Sequence, residues 1–213
     1  MDFSKKEIYN YIDFHSSCED TILSELRRET ELKYLNPIML SGKIQGNFLE
    51  IISKLVKPVN VLEIGTYTGY STLCIANGLD PKGIIHTIDK NEELLEIQNK
   101  YFEKSGYRSQ IRQHTGDALT IIPKFDIDFD MIFLDADKEN YVNYLEIITQ
   151  ILRPGGVLLT DNVLWHGKIV ESFKKQDKTT KLIDQFNKKI LEDKSLKTVI
   201  LPLRDGVSLT IKL

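Results

Sequence analysis

Apolar residues along the chain recur with two different periods, and the change falls near Lys57. Up to that point the spacing is helical. Ser17-Cys18-Glu19-Asp20 has the form of a capping box opening a helix through Glu29, with Ile22, Leu23 and Leu26 on one face. The loop 36–42 precedes an amphipathic segment in which Phe48, Ile51, Ile52 and Leu55 share a face. Beyond residue 57, short apolar runs alternate with helical stretches. Run 59–65 leads to a helix near Ser71–Gly78, run 83–89 to Glu92–Lys104, and run 110–116 to a single helical turn. Run 128–137 precedes a helix to about Leu152; run 155–162, a helix near Lys181–Leu191 and two strand-like segments, 196–203 and 206–213, complete the chain.

Strands and helices alternating at this spacing imply right-handed crossovers and a mostly parallel sheet covered by helices on both faces. The last two strands are too close for a crossover. Arg204-Asp205 between them predicts a hairpin ending in Gly206, with the last strand antiparallel to its neighbour. Sheets of this kind bind ligands beyond the carboxyl ends of their strands. Candidate chemistry is therefore sought at those ends.

Composition changes this picture little. The 213 residues suit one domain, 1–213, with an amino-terminal helical part (1–57) and a core (58–213). With 41% hydrophobic and 28% charged residues and a net charge of −3, nothing indicates general affinity for nucleic acid. The first residues lack the apolar core of a signal peptide, no run approaches membrane-spanning length, and Cys18 and Cys74 lack metal-ligand spacing. A reduced, cytoplasmic protein without membrane contact is the expectation.

The first strand end reads VLEIGTYTGYST (61–72), a strand, a glycine-bearing turn and a helix start. Gly65 and Gly69 permit close backbone approach, but E-x-G-x-x-x-G is not the spacing of dinucleotide binders, which disfavours a dehydrogenase. Acidic Glu63 would repel a pyrophosphate and suit an ammonium or sulfonium ligand. The second strand ends at Asp89, twenty residues beyond Gly69, where a carboxylate can accept from both ribose hydroxyls. Asp117-Ala118 closes the third strand; it serves either to read an adenine edge or, through Asp117, to cap a helix.

EIGTYTGYS, IDK, GDA, FLDADKENY, LRPGG and DNVLW occur in this order. Together they resemble the class I S-adenosylmethionine-dependent methyltransferases, and more narrowly the cation-dependent O-methyltransferases of the catechol and caffeoyl-CoA type, bacterial branch. The resemblance implies a Rossmann-like fold, a seven-stranded, mostly parallel sheet with helices on both faces and an antiparallel last strand. It also implies a loop closing over the cofactor at Met39 and Ser41, contacts from Glu63 and Ser71 to the cofactor's amino-acid end, and a lining of Gly65, Thr66 and Tyr67. Tyr67 serves equally as a core residue.

FLDADKENY (133–141) concentrates charge where an apolar strand ends, and Asp161-Asn162 does so again 26 residues beyond Asp135. Neighbouring strand ends lie about 5 Å apart, so Asp135, Asp161 and Asn162 can converge on one ion. Such an all-oxygen set suits magnesium or manganese, with calcium a further candidate, rather than zinc. Taken alone, Asp161-Asn162 also fits a simple turn. The resemblance makes these three the metal ligands and Lys138 the base, against the ordinary fate of a solvated lysine. Asp137 is left as a cofactor contact or a helix cap.

Trp165 fits the wall of an aromatic acceptor site; His166 reads as a surface residue or a selector of acceptor. Arg204-Asp205-Gly206 reads as the hairpin turn, and the resemblance there implies contact near the site or an oligomer interface. Lys5, Lys6, Arg27, Arg28 and Lys33 serve either an anionic acceptor or the solvation of helix faces. The expectation is a magnesium-dependent O-methyltransferase acting on a small hydroxylated aromatic, catechol or caffeoyl-type, as a homodimer. A second reading moves the methyl group to a hydroxylated uridine of transfer RNA. A third, of a different class, is a non-catalytic S-adenosylmethionine-binding module, which the intact metal set argues against.

Overall fold

The computed structural model describes residues 6–172 and 174–213. Three helices precede the sheet: α1 (Lys6–Phe14), α2 (Thr21–Lys33) and α3 (Gly42–Val56). Then follow β1 (Asn60–Ile64), α4 (Tyr70–Ala76), β2 (Ile84–Asp89), α5 (Leu95–Ser105), β3 (Ile111–Thr115) and α6 (Ala118–Ile121). The remainder is β4 (Phe129–Leu134), α7 (Tyr141–Ile151), β5 (Leu152–Thr160), α8 (Lys178–Glu192), β6 (Leu196–Leu201) and β7 (Val207–Lys212).

The seven strands lie in the order β3-β2-β1-β4-β5-β7-β6, and only β7 runs against its neighbours. Strand alternation sends side chains to two faces. Val61, Ile85, Met131 and Phe133 face one cluster with Leu49, Leu73 and Phe102; Leu62, Ile64, Ile132 and Leu134 face another with Tyr144, Ile148 and Phe186. Chain order reverses between β1 and β4, which makes their carboxyl ends the natural crevice of the sheet.

Three local expectations need correction. Ser17 does not cap α2; Asp20 does, its Oδ1 accepting from Leu23 N at 2.7 Å, because the chain turns helical only at Thr21. Helix α3 packs Phe48 and Ile52 of the expected face against the core but leaves Ile51 and Leu55 exposed; its inward face is rotated to bury Gln45, Gly46, Leu49 and Ser53 and so carries polar groups. The β6–β7 hairpin pairs Leu201 with Val207, giving a five-residue turn (202–206) rather than two residues. Arg204 and Gly206 take left-handed backbone there, and a Cβ on Gly206 would meet Leu164 at 2.4 Å.

Of the basic residues on the early helices, Lys5 lies outside the described residues. Arg27 pairs with Glu19 and Glu31, and Lys33 with Glu29.

Candidate active site

At the crevice between β1 and β4 lies a cavity of about 610 Å³. Its floor begins at Gly65, where β1 ends with φ +104° and a Cβ would fall 1.9 Å from the carbonyl oxygen of Asp135. Only glycine allows the two strand ends to come this close. Gly65 N donates to Ile88 O and Asp135 N to Ile64 O, so β1, β2 and β4 are stitched together directly below the cavity.

The cavity wall contains Met39, Ser41, Gly65, Thr66, Tyr67, Ser71, Asp89, Ala118, Asp135, Asp137, Lys138, Asp161, Asn162, Trp165 and His166. Glu63 and Asp117 are not on that wall. Glu63 lies fully buried behind it, its Oε2 accepting from Thr87 Oγ1 at 2.6 Å and from Thr72 Oγ1. Its Oε1 has no hydrogen-bond partner. Burial pushes its carboxyl up to about 7; the hydroxyls of Ser71, Thr72 and Thr87 oppose that rise, and the charge of Asp135 adds to it. Asp117 caps α6 by accepting from Leu119 N at 3.0 Å, while Ala118 faces the cavity.

Asp89 accepts from Tyr67 N (2.7 Å) and Asn91 N (2.9 Å), which fixes its carboxylate at the cavity edge. Tyr67 has left-handed backbone, lines the cavity and also packs against the core, so its two expected roles coexist.

Register places the charged residues of FLDADKENY beside DNVLW. Leu134 pairs with Thr160, and Asp161 N donates to Leu134 O at 3.0 Å, so Asp135 and Asp161 leave adjacent strand ends together. Burial and the charge of Asp135 raise the Asp161 carboxyl to about 6. Asn162 follows with φ 60°, a left-handed conformation asparagine tolerates. The turn reading of this pair is thus correct as geometry and compatible with a ligand role. Among the described residues no three of His, Cys, Asp and Glu stand as a metal cluster; the set here is two carboxylates and an amide.

Lys138 is not a solvated lysine. Its side chain is 13% exposed, and Nζ donates to Asp135 Oδ1 and to Tyr141 Oη, both at 2.8 Å. Asp137 does not cap the following helix through its side chain; it accepts from Tyr144 Oη at 2.8 Å, and Lys90 Nζ stands 3.8 Å away.

Trp165 and His166 also have left-handed backbone, in a loop pinned by Val163 N to Gly206 O (3.0 Å) and Leu164 N to Asp205 O (2.9 Å). The His166 side chain is 66% exposed, with Nδ1 3.5 Å from Asp205 Oδ2. It stands at the surface and at the cavity mouth together.

Two residues at this site, Tyr141 and Gln45, escaped the sequence reading, and the reach of a third, Arg204, was not specified by it. Tyr141 accepts from Lys138 and donates to Asp161 O at 3.0 Å. Gln45 Nε2 donates to Asp161 Oδ2 at 2.7 Å. Arg204, read as a turn residue with contact near the site or an oligomer interface implied by the resemblance, reaches Gln45. Tyr141 follows Lys138 by three residues, a spacing that was available as a signal; the other two are brought in from distant segments.

Comparison with known proteins now bears on this geometry. The O-methyltransferase family model matches residues 13–213. The chain belongs to that family. It is 34% identical to caffeoyl-CoA O-methyltransferase 1 of Arabidopsis thaliana over 202 residues, 90% of this chain and 78% of that one. In fold it is similar to the O-methyltransferase TomG of Streptomyces achromogenes, solved with S-adenosylmethionine (TM-score 0.88, 26% identity, 97% and 96% of the two chains). It is equally similar to an O-methyltransferase of Bacillus cereus solved with S-adenosylhomocysteine (TM-score 0.88, 27% identity, 97% of each chain). The protein is an S-adenosylmethionine-dependent O-methyltransferase with the Rossmann-like fold of that class. Among the described residues of this methyltransferase, no helix is long and apolar enough to cross a membrane.

Proposed function

We propose that this methyltransferase moves the methyl group to a hydroxyl of a small catechol- or caffeoyl-type acceptor with the help of a divalent cation, magnesium or manganese. One observation carries the reading: Asp135 and Asp161 emerge side by side in the cavity, with the Asp161 carboxyl raised by burial and, after it, by its neighbour's charge. Two carboxylates forced together beside an amide form a hard oxygen set that a divalent cation would neutralise.

S-adenosylmethionine would lie across β1 and β2. Its ribose would meet Asp89, its adenine would rest beside Ala118, and Asp137 would edge the adenosine site. Its ammonium would sit at Ser71, where the Glu63 carboxyl buried behind the wall favours a positive charge, while Met39 and Ser41 cover the cofactor and Gly65, Thr66 and Tyr67 line it. Asp135, Asp161 and Asn162 would hold the cation, which would lower the pKa of the acceptor hydroxyl and favour its ionised form. Lys138, entering as the neutral amine with its two hydrogens given to Asp135 and Tyr141, would take the hydroxyl proton on the lone pair of Nζ and become the ammonium. The acceptor oxygen attacks the methyl carbon in line. As the new O–C bond forms the S–C bond breaks, and sulfur keeps the electron pair as a neutral thioether. Trp165 walls the acceptor ring and His166 stands at its outer edge.

The Arabidopsis relative is a caffeoyl-CoA O-methyltransferase, which supports the acceptor class. A homodimer in the cytoplasm belongs to the same proposal; exposed Phe14, Ile51 and Leu55 on α1 and α3 offer apolar surface for it. The test is transfer of labelled methyl to a catechol and caffeoyl-ester panel and, in parallel, to bulk transfer RNA. Label on a catechol or caffeoyl ester is expected. Label confined to RNA would replace the acceptor, and cofactor binding without any transfer would leave a binding module.

A further inference from the structure

The loop over the cofactor and the carboxylate at the metal side are joined by side chains to which no role has been assigned above. Arg204 projects from the β6–β7 turn, where its backbone is left-handed with φ 50°. Its Nη1 donates to the carbonyl oxygen of Ser41, and its Nη2 donates to that of Ile38 at 3.3 Å. Both carbonyls belong to the segment that covers the cavity. The same Nη1 donates to Gln45 Oε1 at 3.1 Å, and Gln45 Nε2 donates to Asp161 Oδ2 at 2.7 Å.

Each member of this chain is constrained. Gln45 is fully buried in the first turn of α3, and both ends of its amide are matched, one to a cation and one to an anion. Reversing the amide would set its donors against Arg204 and its acceptor against Asp161, so the electrostatics select one orientation. Asp161 is in turn held on its other oxygen by Asn162 N at 2.7 Å. A displaced Ile38–Ser41 segment removes two acceptors from Arg204. The guanidinium is then free to leave Gln45, and Asp161 loses the donor that aims it.

We infer that Arg204 and Gln45 are positioning residues that couple the cofactor-covering loop to Asp161, so that binding of cofactor and of divalent cation reinforce each other. This rests on the proposed assignment of Asp161 as a metal ligand. Because coupling between two binding events is reciprocal, each ligand must tighten the other by the same factor.

The test uses the full chain, manganese as the cation and S-adenosylhomocysteine as the unreactive cofactor. Manganese affinity is measured by titration with and without saturating S-adenosylhomocysteine, and the converse titration is run on the same protein. In the wild type, S-adenosylhomocysteine is expected to tighten manganese binding about fivefold or more, with the same factor found in reverse. In Arg204→Met, manganese should bind alone within about threefold of wild type, while the coupling factor falls towards one. Gln45→Met supplies the second variant should Arg204→Met fail to fold, and thermal melting checks both. A folded variant that keeps wild-type coupling overturns the inference, as does a wild type that binds manganese independently of S-adenosylhomocysteine. A wild type that binds no manganese overturns the metal assignment itself, and the coupling with it.

Discussion

The two ends of the cavity are built on different plans. At the cofactor end, below β1 and β2, the polar groups are buried and fixed: Glu63 and Thr87 are fully enclosed, and Thr66 and Ser71 nearly so. At the acceptor end, Asn162, Trp165 and His166 all have left-handed backbone in one loop, and the His166 side chain is largely open. Left-handed conformations of large residues persist only where the surroundings over-determine them, here through the backbone pairs to Asp205 and Gly206. A preformed cofactor end and a strained, exposed acceptor end separate two tasks. In the proposed assignment the first end would hold S-adenosylmethionine, and the second could change its acceptor without disturbing the sheet.

The comparison can be broken at its hinge, the line of Asp135, Asp161 and Lys138 between the two ends. Asp161→Asn should lower the rate of methyl transfer on the order of a thousandfold, since several kcal/mol of charge stabilisation are lost. S-adenosylhomocysteine binding, measured by calorimetry in chelator so that no cation contributes, should change little. Lys138→Met should cost on the order of a hundredfold in kcat. Comparable loss of cofactor affinity in either variant would show that the two ends are not separable.

Gly65→Ala attacks the cofactor end through the backbone. With φ +104° and a Cβ 1.9 Å from Asp135 O, the substitution should destabilise the protein by at least about 2 kcal/mol, read from denaturant unfolding. Glu63→Gln sharpens the same point through pH. The folded state holds the Glu63 carboxyl at about 7 against an ordinary value of 4.5, so it binds the proton more tightly than the unfolded chain. Glu63 therefore costs nothing below pH 4.5, and its penalty grows as pH rises to about 7 and then levels off. The unliganded Gln variant should match wild type near pH 4.5 and exceed its stability at pH 8 by up to about 3 kcal/mol. An unchanging difference across that range would refute the account of Glu63. At the acceptor end the smallest effect is expected: His166→Ala should alter kcat/KM among acceptors by no more than about tenfold and leave the melting temperature unchanged.

What the sequence disclosed follows the same division. The order of strands and helices, the antiparallel end of the sheet and the strand-end positions Gly65, Asp89, Asp135 and Asp161 are written in local periodicity and motif, so they were legible. Gln45 was not. A polar residue on the buried side of α3 contradicts the apolar periodicity, and it made Ile51 and Leu55 look like the inward face. Its reason to be buried is Asp161, 116 residues away. Arg204 was legible only in part: the resemblance pointed to contact near the site, but a turn position does not show in sequence the carbonyls its guanidinium reaches from across the fold.

The central claim is that chemistry at the hinge depends on a cation held by Asp135, Asp161 and Asn162. The direct measurement is the rate of methyl transfer to a catechol in chelator, followed by titration with magnesium. Loss of activity in chelator and its recovery on adding magnesium, with S-adenosylhomocysteine binding retained throughout, is the predicted result. A rate unchanged by chelator would contradict it and leave Lys138 to act without a metal.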